Sequence, residues 1–287
     1  MEAVLAEMPL ALFTTLSAIG AGAFVTLAVA LATTKPSAEQ LGKIDKMTAI
    51  PLAIILVSFI AAFFHLANVM NAPQVFAGVG RSPLSNEIAV GCVFTVTAVV
   101  YWALAVAGKL PAGARRGLSA AVAVLAVLYA LFMGLAYMMN TIPSWNTVFS
   151  PLQMIGFALV GGAAVGVLVL ALGGLDAEAL KPAKTAILVV SVAGAVLGIA
   201  GVAGQAVTAS GLQNALTLGS DLVSAAAPLI GAGVAGIVAT CACTVLALRA
   251  ARPLTLGAAA CALAVVGILC ARLAFYAMSL SIGLYVF

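Results

Sequence analysis

The chain has 287 residues, of which 65% are hydrophobic and 7% charged, with a formal net charge of +4. A soluble domain carries about 25% charged residues, so this composition excludes one. The basic residues form no cluster of the kind that binds nucleic acid.

A bilayer-spanning helix needs about 20 mainly apolar residues, and eight such runs follow one another: Pro9 to Ala32, Thr48 to Val69, Ile88 to Val106, Gly117 to Met139, Pro151 to Leu175, Thr185 to Thr208, Leu222 to Leu248, and Leu254 to Leu280. They predict an all-α integral membrane protein, one membrane domain over residues 1–287 with eight transmembrane helices. Abundant Gly and Ala, among them Gly20, Gly22, Gly161, Gly162, Gly194 and Gly201, suit close helix packing in lipid. A β-barrel requires short alternating strands instead. No basic residue precedes the first run, so it reads as a retained helix rather than a secretory signal.

Cytoplasmic loops hold the excess of Lys and Arg. The odd-numbered connections carry Lys35, Lys43, Lys46, Lys109, Arg115, Arg116, Lys181, Lys184, Arg249 and Arg252; the other face carries only Arg81. Both termini are therefore expected on the outer, periplasmic side of a bacterial inner membrane. The inner loops read as charged tethers, and the inner leaflet offers no ionisable residue within a helix.

Polarity gathers at the outer face. The connection from Asn71 to Glu87 holds Gln74, Arg81, Ser82, Ser85 and Asn86. His65, the single histidine, lies about one turn before the outer end of the second run, and Glu87 at the outer start of the third. A helical hairpin brings such ends together, with Asn68 on the His65 face. The next outer connection adds Asn140, Trp145 and Asn146.

Blander roles compete for each of these residues. His65 fits an interfacial hydrogen-bonding residue, and Glu87 the stabiliser of a helix dipole. Trp145, Tyr137 and Tyr276 suit an aromatic belt. Arg272, about 18 residues into the last run, suits snorkelling to the interface or, in the sharper reading, pairing with Glu87. The cysteines Cys92, Cys241, Cys243, Cys261 and Cys270 lie in apolar runs without metal-ligand spacing, which points to packing and to no metal in this chain.

Ionisable groups embedded in a membrane are costly and mark substrate or proton paths. Imidazole and carboxylate both accept protons, and a hydroquinone that loses two electrons must lose two protons. At these residues the sequence resembles the membrane-anchor subunit family of bacterial dimethyl sulfoxide reductase. The matching motifs are Glu7-Met8-Pro9-Leu10 with Phe13-Thr14, His65-Leu66, Ser82-Pro83-Leu84-Ser85-Asn86-Glu87-Ile88, and Pro143-Ser144-Trp145-Asn146-Thr147. They lie in the first 150 residues or so; the second half is matched in hydropathy alone.

The resemblance implies an anchor for an iron-sulfur electron-transfer subunit and a molybdopterin catalytic subunit, oxidising menaquinol on their behalf in anaerobic respiration. His65 and Glu87 fall where the family has its quinol-site histidine and glutamate. Asn68, Arg81, Ser85, Asn86, Trp145, Asn146 and Arg272 are added as quinol-binding candidates by position. One histidine cannot ligate a bis-histidine haem, so the expectation is a haem-free anchor with the iron-sulfur subunit docked over the outer loops. A secondary transporter and a pure scaffold without a quinol site are the alternatives. Transporters concentrate polarity at the midplane, in broken helices of related halves.

Overall fold

A computed structural model describes residues 6–64, 69–250 and 253–282, the side chains of 69–72 excepted. His65, Asn68 and Arg252 lie outside the described residues. The elements are α1 Met8–Thr33, α2 Ala38–Met47, α3 Ala49–Phe63, a 3-10 helix Val69–Gly78, α4 Pro83–Val106, α5 Ala112–Leu135, α6 Phe149–Leu172, α7 Lys181–Ser210, α8 Gly219–Ala247 and α9 Pro253–Ala277. With α2 and α3 taken as one stretch, Ala38–Phe63, eight helices among the described residues are long and apolar enough to cross a membrane. The protein is thus an all-helical multi-pass membrane protein.

Two helices form the centre. In α1 the buried positions run around the whole circumference, from Ala11 through Leu31, and α6 is buried in the same way from Ser150 to Ala171. A helix that is hydrophobic on all sides and surrounded by protein belongs at the middle of a bundle. α1 packs on α3, α5 and α6, while α6 packs also on α7 and α9; α8 packs most closely on α9. The α1–α6 crossing depends on missing side chains. A Cβ on Gly22 would strike the Ala158 carbonyl, and one on Gly162 would strike the backbone of Gly22 and Ala23. Lipid tails are as apolar as the helices, so this close backbone approach supplies van der Waals attraction that hydrophobic burial cannot.

Several helix ends differ from the apolar runs because polar capping residues extend a helix past its hydrophobic stretch. α4 begins at Pro83, five residues before Ile88, since Ser82 accepts a bond from the Ser85 amide and Pro83 occupies the first turn. Proline is tolerated there because no intrahelical partner awaits its missing N–H. α7 likewise starts at Lys181 with Pro182 in its first turn.

The first basic connection is more than a tether. Ser37 and Gln40 form a reciprocal capping box that starts α2, with Ile44 and Asp45 buried and Glu39 and Lys43 paired on the exposed side. Asp45 in turn forms a buried ion pair with Arg115 of α5. The basic end, read from sequence as charged tethers, thus holds a buried ion pair between two helices. Gln40 also donates to the Gly174 carbonyl at the end of α6.

At the opposite end, backbone and side-chain bonds tie three connections together. The Ile282 amide donates to the Thr141 carbonyl, the Leu280 amide to Ser144 Oγ, and Asn214 Nδ2 to the Ser281 carbonyl. The segment between α5 and α6 is thereby fixed against the end of α9. That arrangement carries Trp145 into the site.

Candidate functional site

Glu87 owes its direction to the loop before it. Gly80 adopts φ +84°, a left-handed conformation that favours glycine, and its amide donates to Asn86 Oδ1. Arg81 Nη2 donates to the Ala77 carbonyl on the surface. Ser85 is buried against Gly78. Arg81, Ser85 and Asn86 therefore brace the turn itself, and the next residue, Glu87, is directed inward at 3% exposure.

Arg272 is fully buried in α9. Its Nε donates to Thr14 Oγ1 at 2.9 Å and its Nη2 to Tyr276 Oη at 3.0 Å. The guanidinium carbon lies 4.2 Å from the Phe275 ring centroid, 4.7 Å from that of Tyr137 and 4.9 Å from that of Tyr276. Aromatic faces attract a cation most strongly where water is excluded. Tyr137 and Tyr276 share a hydrogen bond of 2.5 Å, and Trp145 stacks on Phe275 at 5.1 Å while its Nε1 donates to the Phe275 carbonyl.

Arg272 is thus held in an aromatic cage and does not snorkel, because Tyr276 one turn along α9 and Thr14 from α1 satisfy two of its nitrogens in the interior. For the same reason Tyr137 and Tyr276 are buried structural partners of a cation and not members of an interfacial belt. Trp145 belongs to the cage. Asn146 does not: its Nδ2 donates to Asn140 Oδ1 at an exposed position.

Glu87 and Arg272 form no ion pair among the described residues, so the sharper pairing considered from sequence is absent as a contact. Among the described residues each keeps one buried polar atom without a hydrogen-bond partner, Oε1 of Glu87 and Nη1 of Arg272. A buried polar group without a partner costs about 1–3 kcal/mol, more if charged, so the pair invites explanation. Among the described residues an acceptor on Glu87 and a donor on Arg272 are thus left open, the two kinds of group that a hydroxyl-bearing ligand engages.

Two further polar networks were missed by reasoning from sequence. Tyr129 sits over Gly91, one turn beyond Glu87, and donates to Ser17 Oγ, which bonds to Ser58 Oγ at 2.7 Å. Gln153 Nε2 donates to Gln205 Oε1 at 2.8 Å, and Gln205 Nε2 to the Phe275 carbonyl. Isolated Ser, Thr and Gln in apolar runs give no sequence signal of which helix they meet. Thr14, by contrast, stood within one of the resembling motifs. Among the described residues no group of three or more His, Cys, Asp or Glu side chains is arranged to hold a metal ion.

The fold and this interior cluster define a multi-pass helical membrane protein with charged groups buried near one end of the bundle. The model of the DMSO reductase anchor subunit (DmsC) family matches residues 1–278, and the protein belongs to that family. Two similar relatives are the C subunits of anaerobic dimethyl sulfoxide reductase from Escherichia coli (strain K12) and Haemophilus influenzae (strain ATCC 51907 / DSM 11121 / KW20 / Rd). The first is 32% identical over 176 residues, which are 61% of this sequence and 61% of the relative. With the second the identity is 30%, over 56% of this sequence and 58% of the relative. The YnfH subunit of anaerobic dimethyl sulfoxide reductase from Escherichia coli (strain K12) is 29% identical over 54% of this sequence and 55% of its own. The matched region thus spans about three fifths of these relatives' length. No solved structure matches the sequence.

Proposed function

We propose that this protein is the haem-free membrane anchor of a three-subunit reductase of the dimethyl sulfoxide reductase type, and that it oxidises menaquinol. The observation that carries this reading is the buried Glu87 carboxylate, one oxygen of which has no hydrogen-bond partner among the described residues, together with the fully buried Arg272, whose Nη1 is open in the same sense. Membership of the DMSO reductase anchor subunit family supports the anchor role. The single histidine supports direct electron transfer without a bis-histidine haem.

The whole molecule acts as one membrane domain in a bacterial inner membrane, with both termini outside by the distribution of Lys and Arg. An iron-sulfur subunit docks over the outer connections, close to the site, and passes electrons to a molybdopterin subunit. Menaquinol gives up two protons and two electrons and becomes menaquinone. Glu87 accepts a proton from one hydroxyl, and His65 hydrogen-bonds to the quinol and serves the other. Arg272 donates through Nη1 to a quinol oxygen, where positive charge stabilises the anion formed on deprotonation. Both protons leave outward, on the side where the terminal reduction takes place, so no net charge crosses the membrane.

Arg81, Ser85 and Asn86 act by holding the loop that aims Glu87, and Trp145 by packing the cage around Arg272. Asn68 and Asn146 are quinol-binding candidates by their positions in the sequence. The test is menaquinol oxidation in proteoliposomes coupled to dimethyl sulfoxide reduction. The complex containing this anchor should consume menaquinol, and the two partner subunits alone should work only with a water-soluble electron donor. Menaquinol oxidation that proceeds equally without the anchor would reduce it to a scaffold. Solute uptake by the anchor alone would favour the transporter.

A further inference from the structure

The basic end of the bundle contains a cavity of about 260 Å³ between the end of α1, α2 and the start of α5. Leu31, Leu41 and Leu110 give it an apolar side, while Lys35, Arg115 and Arg116 give it a cationic one. Arg115 is already neutralised by Asp45. Lys35 and Arg116 are exposed and make no ion pair among the described residues. The nearby acid on α2, Glu39, is occupied by Lys43.

α5 begins beside the same cavity, where Ala112 is part of the wall. Its N-cap is Pro111, which supplies no side-chain acceptor to the first-turn amides. Uncapped amides and the positive end of the helix dipole attract an anion. The wall therefore combines two uncompensated cations, open backbone donors and a leucine surface. A free ion uses only the first two, whereas an amphiphile uses all three. α2, with Ile44 buried and Glu39 and Lys43 outward, has the polarity of a helix lying at a membrane surface.

We propose that this cavity binds the phosphate headgroup of an anionic phospholipid. Lys35, Arg116 and the first amides of α5 hold the phosphate oxygens, and Leu31, Leu41 and Leu110 receive the glycerol and the start of the acyl chains. The occupant secures α2 against α5 at the membrane boundary. Neither Glu87 nor Arg272 takes part, so the site stands whether or not the protein oxidises quinol.

The experiment is native mass spectrometry of the detergent-solubilised full-length protein titrated with phosphatidylglycerol or with phosphatidylcholine. Phosphatidylglycerol should bind at least about tenfold more tightly, since one headgroup carries net charge and the other does not. The double variant Lys35→Gln/Arg116→Gln should weaken phosphatidylglycerol binding by about thirtyfold and leave phosphatidylcholine binding unchanged. Inorganic phosphate at millimolar concentration should fail to displace the lipid. Equal binding of the two lipids, or an unaffected double variant, would overturn the site. Displacement by inorganic phosphate as efficient as by added phosphatidylglycerol would overturn the lipid as occupant and leave a free-phosphate site. The two side chains are exposed, so thermal unfolding of the variant should match that of the native protein and exclude misfolding as the cause.

Discussion

Replacing Glu87 with Gln is expected to slow menaquinol oxidation by about a hundredfold or more, the usual contribution of a positioned proton acceptor, while the protein still folds and assembles. The amide has nearly the shape of the carboxylate, so the packing at the start of α4 is kept. Oε1 accepts no hydrogen bond among the described residues, so none of theirs is lost. An ionised carboxylate in the interior is also expensive to desolvate, so the variant should be at least as stable as the native protein. The check is steady-state turnover with a menaquinol analogue beside thermal unfolding of the same preparation. Normal turnover would remove Glu87 from proton transfer; loss of turnover together with loss of the folded complex would make its role structural.

Arg272 is expected to separate bulk from charge. Arg272→Ala deletes a large, fully buried side chain from among Tyr137, Phe275 and Tyr276, and cavities left by side chains of this size cost about 3–5 kcal/mol. Arg272→Met refills most of the volume with an apolar side chain, so it should lose less stability than the Ala variant. It still removes the donor to Thr14 and Tyr276 and the open Nη1. A hydrogen bond to a charged group contributes about 1.5–3 kcal/mol, so quinol affinity in the Met variant should fall by roughly tenfold or more in a protein that remains folded. Unchanged quinol affinity in the folded Met variant would place Arg272 outside the site.

The positions of the membrane helices were legible in the sequence because bilayer thickness imposes a length that few other structures need. Their ends were less legible, since hydropathy marks where apolar residues begin and not where a cap starts the helix. Ser37-Ala38-Glu39-Gln40 did carry the capping-box pattern that announces α2, and it was obscured by the charged residues around it. The depth of Arg272 could not be read from its position along α9. Snorkelling or burial depends on which way the helix is rotated, and that is decided by Thr14, 258 residues away in sequence, and by Tyr137.

The polar loop before Glu87 shows the converse difficulty. Arg81 and Asn86 are as suitable for a ligand as for a turn, and the structure commits both to local backbone partners. Short polar side chains near turns do this often. Glu87 itself was legible as an ionisable group at the edge of an apolar run. That one of its oxygens, like one nitrogen of Arg272, has no partner among the described residues emerges only from tertiary packing.

The most direct measurement is a fluorescence titration of a menaquinol-site inhibitor onto membranes that hold the assembled complex, with the native protein compared with His65→Arg. A saturable fluorescence change in the native complex that is lost in the variant, with the complex still assembled, is the expected result and would place the quinol site at His65. Saturable binding of equal affinity in both would contradict a quinol site at His65 and Glu87.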